Sequence, residues 1–431
     1  MKKSILGLAL CSIAFSCIAQ EESDSAKILN KVTITAFAQQ RPQQSASTLV
    51  STISSIDMFL TKSSLLTGMN AVAGVRVEER SPGSYRINIR GSSLRSPFGV
   101  RNIKIYWNDI PITDPSGNTY FNQFAWNNFA HMEIFKGPAS SMYGAGTGGL
   151  VLLHSLPSWK PGASLEYMTG SYNLQNIFAS GRFGTAGETM SQVTYAHNQS
   201  DGYRIQTKMR RDNFSWTTKI KREKYEMTAS LLFTDMYYQT PGALTLAEFT
   251  ANPKAARPAG GGFPSAVDAK AAIFQKNVTT GISNLFKLAK GFDNTTTLYG
   301  SFSQIKNSAI RNYERRNEPS FGGRTVFNYD YTSAGSSLEW QWLAGAEFQQ
   351  GYFNTQVAKN KNGNPDTLQT NDDINNQALN AFAQGRLEAG DWTFTAGASI
   401  TKTKLEFTRL SSYPVKKQQR SYRNELAPRF S

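Results

Sequence analysis

Cysteine and histidine are scarce in this chain of 431 residues. Both cysteines, Cys11 and Cys17, lie among the first 20 residues, while His131, His154 and His197 are far apart and form no H-E-x-x-H motif. Outside the N-terminus this excludes a disulfide framework and a thiolate metal site, and it predicts no metal site at all. No G-x-S-x-G motif or paired catalytic carboxylates stand out either. The sequence therefore predicts no catalytic residues, no enzyme and no cofactor.

Long apolar runs are missing beyond the N-terminus. After residue 19 no stretch approaches 18 consecutive apolar residues, so no transmembrane helix is predicted. At the N-terminus, Lys2 and Lys3 precede an apolar run from residue 4 to 18, and small residues before Gln20 suit cleavage. These features predict a signal peptide over residues 1–19 and an exported protein. An uncleaved anchor helix and a lipoprotein are the alternatives.

Positive charge is in excess but dispersed. The formal net charge is +15, and the basic residues are spread along the chain without a dense basic helix. A basic exported protein could bind lipid headgroups, nucleic acid or an anionic solute, although ordinary solvated loops explain much of this charge. The dispersed pattern predicts no nucleic-acid partner.

From residue 157 onward the chain alternates polar and apolar residues over long stretches. Examples are "YEMTASLLFTDMYY" (225–238) and "WTFTAGASITKTKLEF" (392–407), with aromatic residues near the ends. Such alternation is typical of tilted membrane-spanning strands with aromatic girdles. The pattern predicts about 12 strands, a number that depends on uncertain boundaries. A soluble β-sandwich is the alternative, although its strands are shorter.

The connections between these stretches differ in length. Short turns such as 183–188 alternate with long polar segments at 239–276, 306–324 and 351–375. Short turns on one side and long loops on the other favour an outer-membrane barrel. The three long segments are therefore predicted as outer loops.

Residues 37–156 mix short helical and β-prone stretches with many turns, which predicts a compact α+β domain. Helical spacing over 51–75, with Thr61 and Ser63 as possible caps, predicts a helix there. Several short β-prone stretches follow it.

Gly144, Gly146 and Gly149 fit G-x-G-x-x-G, which is also a dinucleotide-binding pattern. That fold requires a helix after the third glycine, whereas Gly149 leads into the β-prone run "LVLLHSLP". We therefore interpret these glycines as sites of tight turns and close backbone packing, with Lys136 and Pro138 fixing the turn before them.

The order of these segments resembles a TonB-dependent outer-membrane receptor. The stretches "INIRGSS" (87–93) and "MEIFKGPASSMYGAGTGGLV" (132–151) match the plug pattern of that family in series. The resemblance implies a plug domain at 37–156 inside an antiparallel membrane β-barrel at 157–431, located in the outer membrane. Its plug motif residues are Arg90, Gly91, Lys136, Gly137, Pro138, Tyr143, Gly144, Gly148 and Gly149.

The resemblance also implies energised transport. In the N-terminal segment 20–36, the β-prone stretch Val32, Thr33, Ile34, Thr35 and Ala36 resembles the TonB box, through which TonB would pull on the plug. A strand of this kind can pair with an exposed sheet edge of a partner. The alternative interpretation of this stretch is the first strand of the plug.

A ferric chelate is the ligand that the resemblance implies. The segment 240–258 resembles an outer loop of the branch that imports ferric citrate or ferric siderophores. Arg95, Arg101, Tyr120 and Trp126 lie in the predicted plug apices, where Arg would bind carboxylates and aromatics would exclude water. Alternatively, Arg90 and Arg95 stabilise the plug against acidic residues of the barrel. Expected partners are TonB, outer-membrane lipid or lipopolysaccharide, and the chelate.

The length of the chain constrains the barrel. Plugged transporters have about 22 strands, and the 275 residues from 157 to 431 are too few for them. We therefore expect the N-terminal half of such a barrel, in a truncated sequence; a complete barrel of about 12 strands is the alternative. The competing functions are a passive porin and a surface adhesin, neither of which needs a plug or the 32–36 stretch.

Overall fold

The computed structural model describes residues 33–34, 41–42, 50–54, 64–92, 99–137, 139–144, 148–156, 159–332 and 338–431. Within these ranges no helix is both long enough and apolar enough to cross a membrane. Two two-residue strands come first, β1 (Thr33–Ile34) and β2 (Arg41–Pro42), and they pair with each other in antiparallel orientation.

Residues 50–156 form a small α+β unit, the plug. Its elements are β3 (Val50–Ser54), α1 (Leu65–Asn70), β4 (Val75–Glu79), β5 (Tyr85–Ile89), β6 (Val100–Arg101), β7 (Ile103–Trp107), β8 (Ile110–Pro111), β9 (Asn118–Thr119), β10 (His131–Phe135), α2 (Ser140–Tyr143) and β11 (Gly149–His154). The main sheet has the order β3-β10-β11-β7-β8, and only its β11–β7 pair is parallel. The pairs β4–β5 and β6–β9 lie outside that sheet.

The main sheet of the plug is covered on both faces. Along β11, Leu150 and Leu152 belong to one buried apolar cluster, whereas Val151 and Leu153 belong to another. This explains why the sequence there is a continuous apolar run instead of an alternating one. The cluster with Leu150 also contains side chains from the wall described next, so the plug and the wall share a core.

Residues 162–430 form a wall of thirteen antiparallel strands. They are β12 (Gly162–Gly170), β13 (Leu174–Thr185), β14 (Thr189–Ser200), β15 (Met209–Lys221), β16 (Tyr225–Gln239), β17 (Ala272–Ala289), β18 (Phe292–Ser308), β19 (Asn312–Thr332), β20 (Leu338–Lys361), β21 (Asn364–Ala389), β22 (Trp392–Arg409), β23 (Lys416–Ser421) and β24 (Glu425–Phe430). Consecutive strands pair from β12 to β23, and β24 pairs with β22. One end of the wall carries the long connection 240–271 with α3 (Leu246–Ala251), and we call it the loop end; the opposite end, with short turns such as 222–224, is the turn end.

The wall is polar inside and apolar outside. Along β17, Gln275, Asn277 and Thr279 are at most 4% exposed, whereas Val278 and Ile282 between and beyond them are 37% and 49% exposed. A soluble β-sandwich buries its apolar face, so this pattern contradicts the sandwich alternative. It is the pattern of a barrel strand between lipid and a polar lumen.

Aromatic side chains cluster on the outside near the turn end. Tyr331 packs edge-on against Trp340 with ring centroids 5.7 Å apart, and Trp340 packs against Trp342 at 6.3 Å. Trp392 and Phe394 stack at 6.2 Å. Amphipathic rings favour the membrane–water interface, so these residues fit a girdle at that level.

The predicted loops at 306–324 and 351–375 are wrong. These residues lie largely in β19, β20 and β21, which are 21, 24 and 26 residues long. At the loop end, residues 309–311 join β18 to β19 and residues 362–363 join β20 to β21. One connection is an Asn362-Gly363 turn with φ of +50° and +86°, the pair that a two-residue hairpin requires. A strand needs only about 9–11 residues to cross the hydrocarbon. The remaining length of these polar strands extends beyond it, which is why they resemble loops in sequence.

The helix predicted over 51–75 is also wrong in extent. Residues 50–54 form strand β3, and the helix covers only Leu65–Asn70. Its N-cap is Ser64, whose Oγ accepts a hydrogen bond from the Leu66 N–H at 3.2 Å. The predicted caps Thr61 and Ser63 lie outside the described residues. Pairing of β3 with β10 overrides the local helical spacing.

Replacing Ile282 with Arg tests the orientation of the wall. Ile282 faces outward, and we expect Arg there to destabilise the membrane-inserted form by about 2–4 kcal/mol, the cost at mid-bilayer. Leu246 in α3 is 82% exposed in the long connection, so Leu246→Arg is the matched control and should cost little. The measurement is the urea concentration that releases each variant from lipid vesicles. Equal midpoints for the two variants would contradict the assigned lipid face.

Candidate ligand-binding site and plug anchors

The described glycines on either side of residues 145–147 pack closely against the plug and the wall. A Cβ on Gly148 would lie 2.5 Å from the Ser92 Cβ and 2.8 Å from the Asn102 carbonyl oxygen, so only glycine fits there. Gly149 begins strand β11 and not a helix. Because a dinucleotide fold needs a helix at that point, the described residues of the motif do not form a phosphate-binding loop. Gly146 and Pro138 lie outside the described residues.

Arg90 and Gly91 form a second tight turn of the plug. Arg90 has φ +49° and Gly91 φ +81°, and the Arg90 N–H donates to the Gly74 carbonyl at 2.9 Å. The Arg90 guanidinium donates a hydrogen bond from Nη1 to the Lys136 carbonyl oxygen at 2.9 Å. Partial desolvation and, to a lesser extent, Arg90 lower the pKa of Lys136. Arg90 thus connects this turn to Lys136, which precedes Gly137 and the glycine-rich turn.

Helix α2, which precedes the glycine-rich turn, lies against a buried charge on the wall. Arg324 is 7% exposed, donates to the Met142 carbonyl at 3.1 Å and forms an ion pair with Glu347 at 3.0 Å. The Tyr106 hydroxyl donates to the same carboxylate at 2.7 Å. Burial and, after it, the Glu347 carboxylate raise the pKa of Tyr106 well above its ordinary value, so Tyr106 is a neutral donor.

Aromatic rings surround the same guanidinium. The Arg324 Cζ lies 4.7 Å from the Tyr143 ring centroid and 4.5 Å from that of Phe382. Cation–π attraction is stronger in such a desolvated position. We call Arg324, Glu347, Tyr106 and Tyr143 the ionic anchor. It fixes the plug motif residue Tyr143 against β19–β21.

A second group of contacts consists of neutral hydrogen bonds. The Gln123 carbonyl accepts from Asn213 Nδ2 at 2.6 Å and from Thr234 Oγ1 at 2.8 Å. Asn128 Nδ2 donates to Asn213 Oδ1 at 2.6 Å and to Thr194 Oγ1 at 3.1 Å. These residues form the amide anchor, which joins the plug to β14–β16.

A charged cluster lies between the plug and the wall toward the loop end. The Tyr120 hydroxyl donates to Glu318 Oε2 at 2.7 Å, and Arg316 Nη1 lies 3.2 Å from the Tyr120 oxygen and 3.3 Å from Glu318 Oε1. Burial and, after it, Glu318 raise the pKa of Tyr120 well above its ordinary value. We call Tyr120, Arg316 and Glu318 the outer cluster. It combines a cation, a hydrogen-bond donor and an aromatic face at the plug–wall boundary.

Arg101 lies close to the outer cluster. It is exposed, and its partner in the β6–β9 pair is Asn118, two residues before Tyr120. The intervening turn is fixed by Asp114, whose Oδ1 accepts from the N–H groups of Ser116 and Asn118 at 2.9 and 3.0 Å. The fold thus brings together two of the four predicted ligand residues, Arg101 and Tyr120.

The other two predicted ligand residues lie elsewhere or outside the described ranges. Trp126 is partly buried against the wall, with its ring 5.2 Å from that of Phe178 in an edge-on arrangement. Arg95 lies outside the described residues. Ligand binding by these four residues remains a prediction.

Arg316 and Glu318 were missed because their segment was interpreted as a loop. Glu314, Arg316 and Glu318 are spaced by two residues, which places them on one face of a strand. The alternation of charge in "YERRNEP" is the signal that could have identified them.

Only part of the TonB box-like stretch is described. Thr33 and Ile34 form β1, where they pair with Pro42 and Arg41 respectively. Val32, Thr35 and Ala36 lie outside the described residues. The assignment of this stretch to TonB remains a prediction.

Comparison with known proteins identifies the plug. Residues 29–151 match the family model of the TonB-dependent receptor plug domain. The whole fold is similar to that of the unliganded ferric citrate transporter FecA, with TM-score 0.73, 13% identity and coverage of 89% of this chain and 59% of that one. It is also similar to the ferric yersiniabactin uptake receptor FyuA from Yersinia pestis, with TM-score 0.69, 11% identity and coverage of 88% and 61%.

A third similar structure is the siderophore receptor PiuA from Acinetobacter baumannii, with TM-score 0.69, 15% identity and coverage of 90% and 62%. The chain thus spans less than two thirds of the length of these three structures. Residues 29–151 thus match the plug domain model, and in fold the chain is similar to the plug and part of the barrel wall of these three structures.

Replacing Arg324 with Met tests the ionic anchor. Met has an unbranched side chain but leaves Glu347 buried without its cation, and breaking a buried ion pair this way costs about 3–5 kcal/mol. We expect the plug to become accessible to protease at a lower urea concentration than in the unmodified protein. Arg315→Met is the matched control, because Arg315 lies on the same strand with an exposed side chain. If both variants release the plug at the same urea concentration, the ionic anchor does not hold it.

Proposed function

We propose that this protein takes up a ferric chelate across the outer membrane with energy delivered by TonB. The observation that carries the proposal is the plug, which matches the TonB-dependent receptor plug model and is joined to the inner face of the wall at two anchors. A pore occupied in this way needs an energy source to open.

A ferric siderophore or ferric citrate is the ligand class that we infer. Such chelates present carboxylate or other anionic oxygens around the metal, and Arg recognises carboxylates with paired hydrogen bonds. Arg101 and the outer cluster offer guanidinium groups and a tyrosine at the loop end, which faces the exterior in barrels of this type. Ferric citrate and ferric yersiniabactin are named for two of the similar structures, which supports the class but selects neither chelate.

TonB is the partner that we infer for the 32–36 stretch. A short extended segment can add to a sheet edge of a partner through main-chain hydrogen bonds. Thr33 and Ile34 pair with Pro42 and Arg41 in antiparallel orientation, which supports the capacity of this segment for strand pairing. Lipid and lipopolysaccharide are the further partners that we infer for the apolar outer face of the wall.

A passive porin and a surface adhesin are the competing functions. The plug fills the inner face of the wall with side-chain and backbone contacts from β14 to β21. A porin has an aqueous lumen, and an adhesin has no use for hydrogen bonds between a lumen domain and its wall. The plug therefore favours gated uptake over both.

Deleting residues 31–36 tests the energy coupling. Because the stretch would bind TonB and not the ligand, we expect cells carrying the deletion to bind radiolabelled ferric chelate normally but to lose its uptake. Deleting residues 22–27, an equally long polar segment, is the matched control and should preserve uptake. Unchanged uptake after removal of 31–36 would refute the coupling assignment.

Replacing both Arg95 and Arg101 with Ala tests the ligand site. We expect the affinity for the chelate to fall by about tenfold or more, as for the loss of charge-assisted hydrogen bonds. The measurement is equilibrium binding of labelled chelate to cells without TonB, so that transport does not contribute. Arg222→Ala at the turn end is the control. A loss no greater than that of the control would place the ligand elsewhere.

A further inference from the structure

Two of the three histidines of the chain meet in the plug. His131 begins β10 and His154 ends β11, and the two residues are directly paired across the antiparallel ladder. Their rings stack with centroids 4.5 Å apart. Glu133 follows His131 by two residues and therefore lies on the same face of the strand. The fold thus unites residues that are 23 positions apart in sequence.

The distances within this trio suit a metal ion. Glu133 Oε1 lies 3.5 Å from His154 Nε2 and 3.7 Å from His131 Nε2, and ligand atoms of all three residues lie within 4.8 Å of one another. Two ligands that are each about 2.1 Å from a tetrahedral metal lie about 3.4 Å apart. The two distances to the carboxylate already match this value. His131 is the more exposed histidine, with 37% of its side chain accessible, and rotation of its ring can close the third distance.

The environment of the trio favours a cation. The Glu133 side chain is fully buried, and His154 Nε2 is a buried atom without a hydrogen-bond partner among the described residues. Imidazole nitrogens and carboxylate oxygens are ligands that divalent first-row metals take in proteins. A metal ion at this point would give the His154 Nε2 atom the partner that it lacks among the described residues.

A cavity gives access to the trio. A space of about 620 Å³ lies between the plug and the wall, and His154 and Asp109 both line it. Asp109 follows β7, which pairs with β11, and its Oδ2 accepts from the wall residue Ser283 at 3.2 Å. Water or a further carboxylate can complete a coordination shell from this side. The cavity therefore borders the trio on the side of His154.

We propose that His131, Glu133 and His154 form a binding site for a divalent first-row transition-metal ion, with Zn²⁺ as the representative ion. Two imidazoles and one carboxylate are a common protein ligand set for such ions, and soft thiolates are absent from the plug. The site lies on the plug and is separate from the outer cluster at the loop end. It does not depend on the proposed transport function.

Zinc binding by the purified chain tests the proposal. The protein, in detergent and without a histidine tag, is stripped with a chelator and equilibrated with ZnCl₂, and bound zinc is measured by elemental analysis. We expect one Zn²⁺ per chain, and a loss of affinity of at least about tenfold in the His131→Asn/His154→Asn double variant. His197→Asn is the matched control because His197 is the remaining histidine and lies on β14 of the wall. It should bind zinc as the unmodified protein does.

A second readout guards against misfolding of the double variant. Because the chain has three histidines and no cysteine after residue 17, Cu²⁺ added to the unmodified protein should show electron paramagnetic resonance coupling to two imidazole nitrogens. His131→Asn, at the exposed position, should reduce this coupling to one nitrogen. Absence of zinc binding, retention of zinc by the double variant, or copper coupling that His131→Asn leaves unchanged would each overturn the proposal.

Discussion

The contact between plug and wall is made chiefly of polar groups, and the rest of the structure depends on this. The inner face of β14–β17 presents amides and hydroxyls, and the plug meets them with its own amides and with backbone carbonyls such as that of Gln123. A buried polar group left without a partner costs about 1–3 kcal/mol. Each plug carbonyl that reaches the wall therefore has few places where it can be satisfied. The hydrogen-bond pattern sets the position and the orientation of the plug more strictly than apolar packing would.

The two anchors differ in how they can be released. Water can replace an amide or hydroxyl partner, because a neutral hydrogen bond contributes only about 1 kcal/mol net. The ionic anchor behaves differently, since separating Arg324 from Glu347 would leave two buried charges that only a solvated path could stabilise. Apolar contacts accompany both anchors, with Val326, Leu343 and Phe382 of the wall beside the ionic anchor and Phe178, Ala196 and Leu232 on the side of the amide anchor.

The sequence predicted the barrel strands but not the extent of the polar strands or of the plug helix. Period-two alternation identified the barrel strands because that signal is local. Predictions from local patterns were wrong where one sequence pattern is compatible with two kinds of structure. The polar residues of β20 and β21 were interpreted as loops. Where a strand extends beyond the bilayer, neither of its faces contacts lipid, so apolar residues need not recur at every second position. Residues 50–54 read as helix because their β character depends on β10, about 80 residues later in the sequence.

The candidate sites illustrate the same limit. The outer cluster needs Tyr120 from the plug and Arg316 from the wall, 196 residues apart, and no sequence spacing indicates that they meet. The histidine pair is subtler. His131 and Glu133 form an H-x-E pattern that places two ligands on one face of a strand, but a third ligand is needed for a site, and antiparallel register supplies it from the neighbouring strand. Metal-ligand motifs are usually recognised at short spacings within turns and helices. On a sheet, one ligand lies two residues along the same strand and another is the paired residue of the neighbouring strand. Such a set can be recognised only when the strand register is known.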